Sequence, residues 1–166
     1  MFESFSESAR MVIFLARYEA SRLRSDYIDL PHLLLGFILE DQGDSELPLR
    51  KLHGMEDLSA AIDVFPRQEG KSSFLDRDTA ARLQSVCSVF GPRATPQPTH
   101  GNMPLTEGAK RALSAAFEHA NGSTVTPLHL LWAVLVEDKG PIAQALLENG
   151  ITREQVENEI RRRNSV

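Results

Sequence analysis

The stretch that decides the fold is Pro31-His32-Leu33-Leu34-Leu35-Gly36-Phe37-Ile38-Leu39-Glu40-Asp41. From Leu33 to Leu39 it is apolar on every side of a helix, a pattern typical of a helix buried inside a bundle. A similar stretch follows in the second half of the chain, Leu128-His129-Leu130-Leu131-Trp132-Ala133-Val134-Leu135-Val136-Glu137-Asp138. Histidine, apolar run and acidic pair come in the same order, so the sequence predicts an internal repeat with one buried helix in each copy.

An amphipathic helix is predicted before each buried helix. Phe5-Ser6-Glu7-Ser8-Ala9-Arg10 matches Leu105-Thr106-Glu107-Gly108-Ala109-Lys110, which makes Ser6 and Thr106 predicted N-caps. Apolar residues then recur at steps of three and four, at Ala9, Val12, Ile13, Ala16, Ala20 and Leu23 and again at Ala109, Ala112, Leu113, Ala116 and Ala120.

Two further helices are predicted in each copy. In the first copy, a short third helix ends at Gly54 and a fourth begins near Asp57. In the second copy, the third helix ends at Gly150 and the fourth begins near Thr152. Strand signals are nearly absent. The sequence therefore predicts an all-α fold of two tandem four-helix repeats.

The segment between the copies has a different character. Pro66 to Ser73 is polar, and residues 91–102 are rich in proline and glycine, as in an exposed linker. Between these stretches, apolar residues keep helical spacing at Ala80, Leu83, Val86, Cys87 and Phe90. We therefore predict repeat 1 at residues 1–64, a linker with an inserted helix at 65–102, and repeat 2 at 103–166.

Composition excludes several classes of protein. The 166 residues are 42% hydrophobic and 25% charged, which is typical of a globular protein. No window has the ~18 apolar residues of a membrane helix. The N-terminus lacks a secretory signal and there is a single cysteine, so we expect a cytoplasmic location. The net charge of −5 argues against a nucleic-acid partner.

The repeat resembles a known family. Met1 to Val12 looks like the opening of the N-terminal domain of the Clp/Hsp100 unfoldases, particularly the ClpC type, and His32-Leu33-Leu34-Leu35-Gly36 and His129-Leu130-Leu131 resemble the signature inside each Clp repeat. The resemblance covers about 2–64 and 103–163 and implies two repeats related by a pseudo-two-fold axis.

Such domains sit on the ATPase ring of an unfoldase and dock other proteins. The resemblance therefore implies a non-enzymatic interaction module whose partners are Clp ATPase or protease components, adaptors or substrate proteins. We expect no cofactor, because the nearest match to a phosphate loop, Glu69-Gly70-Lys71-Ser72-Ser73, has Phe65 where the motif needs a glycine.

The resemblance also implies a peptide or adaptor groove along the first helices. Its lining residues would match Phe2, Phe14, Leu105, Lys110 and Phe117. An aromatic-lined groove with one cation suits an apolar peptide segment with a polar end. The same aromatic faces of the two first helices could instead meet and join the repeats.

Phosphoarginine recognition is left open by the sequence. ClpC-type domains bind this group with a glutamate immediately before the repeat histidine. Here those positions hold Pro31 and Leu128, so the acid is missing from both copies.

The two repeat histidines allow a catalytic alternative. His32 or His129, working with Glu40 or Glu137, could serve a small hydrolase or transferase on a helical scaffold, if acid and base converged on one pocket. The favoured interpretation is structural, with each histidine bonded to a neighbouring turn. We expect no metal site, because neither histidine has a second ligand at suitable spacing, and we expect Cys87 to be buried.

Overall fold

The all-α prediction is confirmed. The computed structural model describes residues 2–44, 73–89 and 103–165. Over these ranges the chain forms a 3-10 helix, Phe2–Ser4, and seven α-helices: α1 (Glu7–Arg22), α2 (Leu30–Asp41), α3 (Arg77–Val89), α4 (Glu107–Ala120), α5 (Pro127–Glu137), α6 (Pro141–Glu148) and α7 (Arg153–Asn164). The helices predicted near Gly54 and Asp57 and the linker at 91–102 lie outside the described residues.

The predicted caps start the first helix of each copy. The Ser6 hydroxyl accepts a hydrogen bond from the Ala9 N–H at 3.0 Å, and the Thr106 hydroxyl accepts one from the Ala109 N–H at 3.1 Å. Each bond satisfies a backbone donor that the first helical turn leaves unpaired. The chain therefore enters both copies in the same way.

The buried helices α2 and α5 lie at the centre. α1 packs on α2, α4 packs on α5, and α2 and α5 contact each other. Gly36 allows α1 and α2 to approach closely, since a Cβ at this position would lie 2.8 Å from the Ala16 backbone nitrogen of α1. A glycine is needed here for space, because the backbones of two helices are in contact.

Two short backbone pairings cross between the copies. Phe5 pairs with Val125, and Ile28 pairs with Leu105. The residue before the N-cap of the first helix in each copy thus pairs with the residue before the N-cap of the second helix in the other copy. This crossed pattern gives the pseudo-two-fold relation, and the α2–α5 contact also joins the repeats. A contact between the aromatic faces of α1 and α4 stays a prediction.

The helix predicted between the copies is present as α3. It packs on α2, and the Asp41 carboxylate at the end of α2 accepts hydrogen bonds from the backbone N–H groups of Phe74 at 2.7 Å and Leu75 at 3.0 Å. α7 packs on α5 in a comparable way. α3 and α7 thus each pack on the buried helix of their own copy, while the predicted domain boundaries stay predictions.

Both repeat histidines cap the helices that they begin. His32 Nδ1 accepts a hydrogen bond from the Asp29 N–H at 2.9 Å, and His129 Nδ1 accepts one from the Thr126 N–H at 3.0 Å. Burial lowers the pKa of each imidazole to about 4. The rings are therefore neutral at physiological pH, as an acceptor nitrogen requires.

Replacing Gly36 with alanine should destabilise the protein. The added methyl group would overlap the α1 backbone, which cannot move away as a side chain could, and we expect a loss of about 2–3 kcal/mol in the free energy of unfolding. Urea unfolding followed by circular dichroism measures this loss. Gly140→Ala is the control, because no atom lies within 4 Å of a Cβ there; equal losses in the two variants would contradict the packing argument.

The buried Asp41 should matter more than its exposed neighbour Asp44. Asp41→Ala leaves the buried N–H group of Leu75 and the partly buried N–H group of Phe74 without their acceptor, and we expect a loss of about 2–3 kcal/mol in unfolding free energy. Asp44 makes an exposed ion pair with Arg77 at 3.0 Å, so Asp44→Ala should cost less than about 1 kcal/mol. Thermal unfolding compares the two variants, and similar midpoints would show that Asp41 does not hold the segment before α3.

Acid should weaken the fold through the capping histidines. Their pKa falls from 6.5 in the unfolded chain to about 4 in the folded one, so only the unfolded state takes up protons between these values. The stabilisation is complete above the unfolded pKa and is lost as pH falls towards 4, by up to about 3 kcal/mol for each histidine.

Urea unfolding at about pH 7 and about pH 5 measures this loss. His32→Asn retains an acceptor but cannot titrate in this range, so it should remove about half of the pH dependence. An unchanged slope in that variant would show that other groups cause the acid sensitivity.

Candidate functional site

Two of the residues predicted to line a groove precede or lie on α1. Phe2 lies in the 3-10 helix before α1. Phe14 is half-buried and packs against a small apolar cluster of Met11 and Leu15, which Leu39 of α2 also contacts. Phe14 is therefore partly used by the α1–α2 contact.

The other three residues lie at the start of α4 or on it. Leu105 is half-buried in its pairing with Ile28. Lys110 is exposed and makes an ion pair with Glu107 at 3.2 Å. Phe117 is 40% exposed.

The five residues are thus divided between two helices with different main partners. α1 packs chiefly on α2, and α4 packs chiefly on α5. Phe117 and Lys110 follow one another along α4 at a distance of about two turns, roughly 10 Å. A single groove shared by all five residues stays a prediction. The two members that lie on α4, Lys110 and Phe117, are both exposed.

A cleft that the sequence did not predict lies between the starts of α1 and α5 and the end of α7. Its volume is about 240 Å³, and it is lined by Ser6, Ser8, Thr126, Pro127, Leu128, Ile160, Arg163 and Asn164. Leu128 is the residue that stands where the resemblance expects a glutamate. The cleft depends on contacts across the two copies, for which spacing along the chain gives no signal.

Arg163 is the one charged residue among those that line this cleft. Arg163 Nε donates a hydrogen bond to Glu159 at 2.8 Å, and Arg162 Nε donates one to the same carboxylate at 2.9 Å. These hydrogen bonds, that of Arg162 foremost, lower the pKa of Glu159 to about 2. One carboxylate therefore serves two guanidinium groups, and no acid is among the residues that line the cleft.

The corresponding junction in the other half of the molecule is bridged. Thr106 donates a hydrogen bond from its hydroxyl to Asp29 Oδ1 at 2.8 Å, which joins the N-cap of α4 to the N-cap of α2. Gly108 stands there in the place of Ser8, and a Cβ on Gly108 would lie 3.7 Å from Leu30. The two pseudo-equivalent junctions therefore differ in both charge and contacts.

The residues of the catalytic alternative have structural partners. His32 and His129 are 0% and 2% exposed, and their Nδ1 atoms accept the cap hydrogen bonds. Glu137 makes an ion pair with Arg111 at 3.2 Å, and Asp138 accepts a hydrogen bond from the Ala143 N–H of α6 at 2.7 Å. Buried rings of this kind do not reach a substrate, so the geometry argues against a hydrolase or transferase using them.

Cys87 is not suited to nucleophilic chemistry either. It is fully buried, and burial raises the pKa of its thiol to about 12, which keeps it protonated. Within residues 2–44, 73–89 and 103–165, no group of three or more His, Cys, Asp and Glu side chains could hold a metal ion.

A ring stack that sequence analysis missed ties three helices together. His119 of α4 stacks on Trp132 of α5 with ring centroids 3.8 Å apart. The Trp132 indole N–H donates a hydrogen bond to Glu157 of α7 at 2.9 Å. The stack fixes α4, α5 and α7 relative to one another in the second copy.

Comparison with known proteins gives consistent matches in sequence. The chain is 29% identical over 163 residues to a probable ATP-dependent Clp protease ATP-binding subunit from Chlamydia pneumoniae, a match over 96% of this chain and 16% of that protein. It is 26% identical over 153 residues to the chloroplastic chaperone protein ClpD from Arabidopsis thaliana, over 90% of this chain and 15% of that protein. The chain thus spans about one sixth of the length of these relatives. No family model matches it.

Comparison of structures gives a match over the whole chain. The N-terminal domain of the caseinolytic protease associated chaperone ClpD from Arabidopsis thaliana superposes with a TM-score of 0.57 at 22% sequence identity, covering 100% of this chain and 97% of that one. No helix among the described residues is long and apolar enough to cross a membrane. The resemblance inferred from the repeat is confirmed: the chain has the fold of a Clp N-terminal domain and is similar in sequence to Clp ATP-binding subunits along most of its length.

Proposed function

We propose that the chain is a non-enzymatic interaction module that docks adaptor or substrate proteins for an ATP-dependent Clp unfoldase or protease. The observation that carries this proposal is the fold, which matches the N-terminal domain of a Clp chaperone over the whole chain. The histidines and acids that an enzyme would need are occupied by caps and ion pairs. A docking protein needs no such catalytic residues, because its partner binds to side chains exposed on the surface.

Phe117 is the proposed anchor of the docking surface. It is 40% exposed on α4, on the same helix as the exposed Lys110. Aromatic side chains that can be fully buried by a partner supply much of the energy of protein interfaces. An apolar side chain of the partner would pack on Phe117, and an acidic group about 10 Å away would reach Lys110.

The proposed partners are Clp ATPase or protease components, adaptors and substrate proteins. The arginines at the end of α7 are paired with acids, Arg162 and Arg163 with Glu159, and do not form the basic surface that nucleic acid requires. Relatives include chloroplastic proteins, so the cytoplasmic location stays a prediction.

The purified chain should inhibit casein degradation by a reconstituted Clp unfoldase and peptidase, because it competes for adaptor or substrate docking. Phe117→Ala should raise the half-inhibitory concentration about tenfold, as expected for an aromatic anchor. Leu147→Ala is a matched control, since Leu147 is also exposed but lies on α6. Absence of both inhibition and binding to any Clp component would overturn the proposal, and equal effects of the two variants would overturn the role of Phe117.

A further inference from the structure

We propose that Asn121 is a site of spontaneous covalent modification, at which the side-chain amide is converted to an aspartyl or isoaspartyl carboxylate with loss of ammonia. This reaction is least hindered in an asparagine–glycine dipeptide, because glycine has no Cβ to block the approach of its backbone nitrogen. The chain has two such dipeptides, Asn121-Gly122 and Asn149-Gly150, and the fold holds them differently. The reaction needs no Clp component, so it is independent of the proposed docking function.

The chemistry uses only the dipeptide and water. The Gly122 backbone nitrogen, once it has given its proton to solvent, attacks the side-chain carbonyl carbon (Cγ) of Asn121. A bond forms between that nitrogen and Cγ, the bond from Cγ to the amide nitrogen breaks, and the amide nitrogen takes up a proton and leaves as ammonia. Water then opens the cyclic imide at either carbonyl and leaves an aspartyl or an isoaspartyl residue. The reaction therefore needs an N–H that solvent can reach and a side chain that is free to turn towards it.

The Asn121 dipeptide offers both groups to solvent. Residues 121–124 form an exposed turn between α4 and α5. Among the residues that the structure describes, neither the Asn121 side chain nor the Gly122 N–H has a hydrogen-bond partner. The Asn121 backbone is left-handed (φ 48°, ψ 54°), which brings its Cβ close to its own carbonyl oxygen and turns the next nitrogen away. The Gly122 nitrogen can therefore attack only after rotation about the Cα–C bond of Asn121.

Few contacts oppose that rotation. Ser123 closes the turn with two hydrogen bonds to the Ala120 carbonyl, one from its N–H at 2.9 Å and one from its hydroxyl at 2.6 Å. The space around Gly122 is open, since a Cβ placed there would have no described atom within 4 Å apart from those of its chain neighbours. An exposed turn closed in this way opens at a small cost in free energy compared with the core.

Asn149 has the opposite environment. Its side-chain amide donates a hydrogen bond to the Ala145 carbonyl at 2.7 Å and accepts one from Arg82 Nε at 2.8 Å. The Gly150 N–H, which would be the nucleophile, donates to the Leu147 carbonyl at 3.0 Å. Both reacting groups are thus occupied, so Asn149 is a matched control for Asn121 within the same chain.

Modification changes the end of α4. An isoaspartyl residue carries the main chain through its former side chain, which adds one carbon to the backbone and removes the left-handed cap of the helix. The new carboxylate lies at the C-terminal end of α4, where negative charge is unfavourable. The last turn of α4 also holds His119 against Trp132, with ring centroids 3.8 Å apart. We therefore expect the modified chain to lose part of this stack.

Peptide mapping by mass spectrometry, after incubation of the full chain at mildly alkaline pH, measures both sites. Trypsin separates them, because Asn121 lies in fragment 112–139 and Asn149 in fragment 140–153. In the folded chain, Asn121 should be converted at least about tenfold faster than Asn149. In urea, where both dipeptides lose their structural partners, the two rates should be similar. Conversion of Asn121 no faster than Asn149 in the folded chain would overturn the assignment, and an equally large difference in urea would show that the fold does not select the site.

Arg82→Ala tests why Asn149 is protected. Loss of the hydrogen bond from Arg82 should raise the rate at Asn149 severalfold and leave the rate at Asn121 unchanged. Arg77→Ala is the matched control on the same helix, because Arg77 is paired with Asp44, and it should change neither rate. An equal rise at both asparagines in the Arg82 variant would contradict local protection.

Asn121→Gly separates this modification from other changes during incubation. Glycine retains the left-handed cap but has no amide that can react. The fluorescence of Trp132 should change in the original chain in step with isoaspartate formation and stay constant in the variant. Constant fluorescence in a converted chain would show that the end of α4 is unaffected, and an equal change in the variant would show that Asn121 is not the cause.

Discussion

The contact between α2 and α5 constrains every other element of the structure. Both helices are apolar on nearly all sides, so each can be stable only when neighbouring helices surround it. α1 and α3 cover α2, and α4, α6 and α7 cover α5. Because the helix starts are buried too, their polar groups need internal partners. The histidine caps provide them, which is why a residue type associated with catalysis is found here inside the core.

The copies share an architecture but differ at the places where they meet. The crossed pairings of Phe5 with Val125 and of Ile28 with Leu105 bring together the N-caps of helices from opposite halves. At one junction the caps are aspartate and threonine and bond directly. At the other they are Ser6 and Thr126, and a cleft lies beside them. A pseudo-symmetric fold thus offers two equivalent positions, at which small side-chain changes produce different contacts.

The sequence predicts those parts of the fold whose signals are local. The starts of α1 and α4 follow from the predicted caps Ser6 and Thr106, α2 and α5 follow from their apolar runs, and the inserted helix follows from the helical spacing of its apolar residues. The role of Asp41 could not be predicted, because its partners Phe74 and Leu75 are more than thirty residues away. The cleft was also missed, since it needs residues from three helices of both copies. Phe117, one of the five residues predicted to line the groove, is exposed on α4. That all five residues line one groove is still a prediction.

The stack of His119 on Trp132 gives the molecule an internal optical reporter. Trp132 is the single tryptophan of the chain, and it is held between α4 and α7 by ring contact and by hydrogen bonding. Its fluorescence therefore follows the environment of the second copy alone, whereas circular dichroism follows the helices of both. Agreement or disagreement of the two signals during denaturation would reveal whether the halves unfold as one cooperative unit.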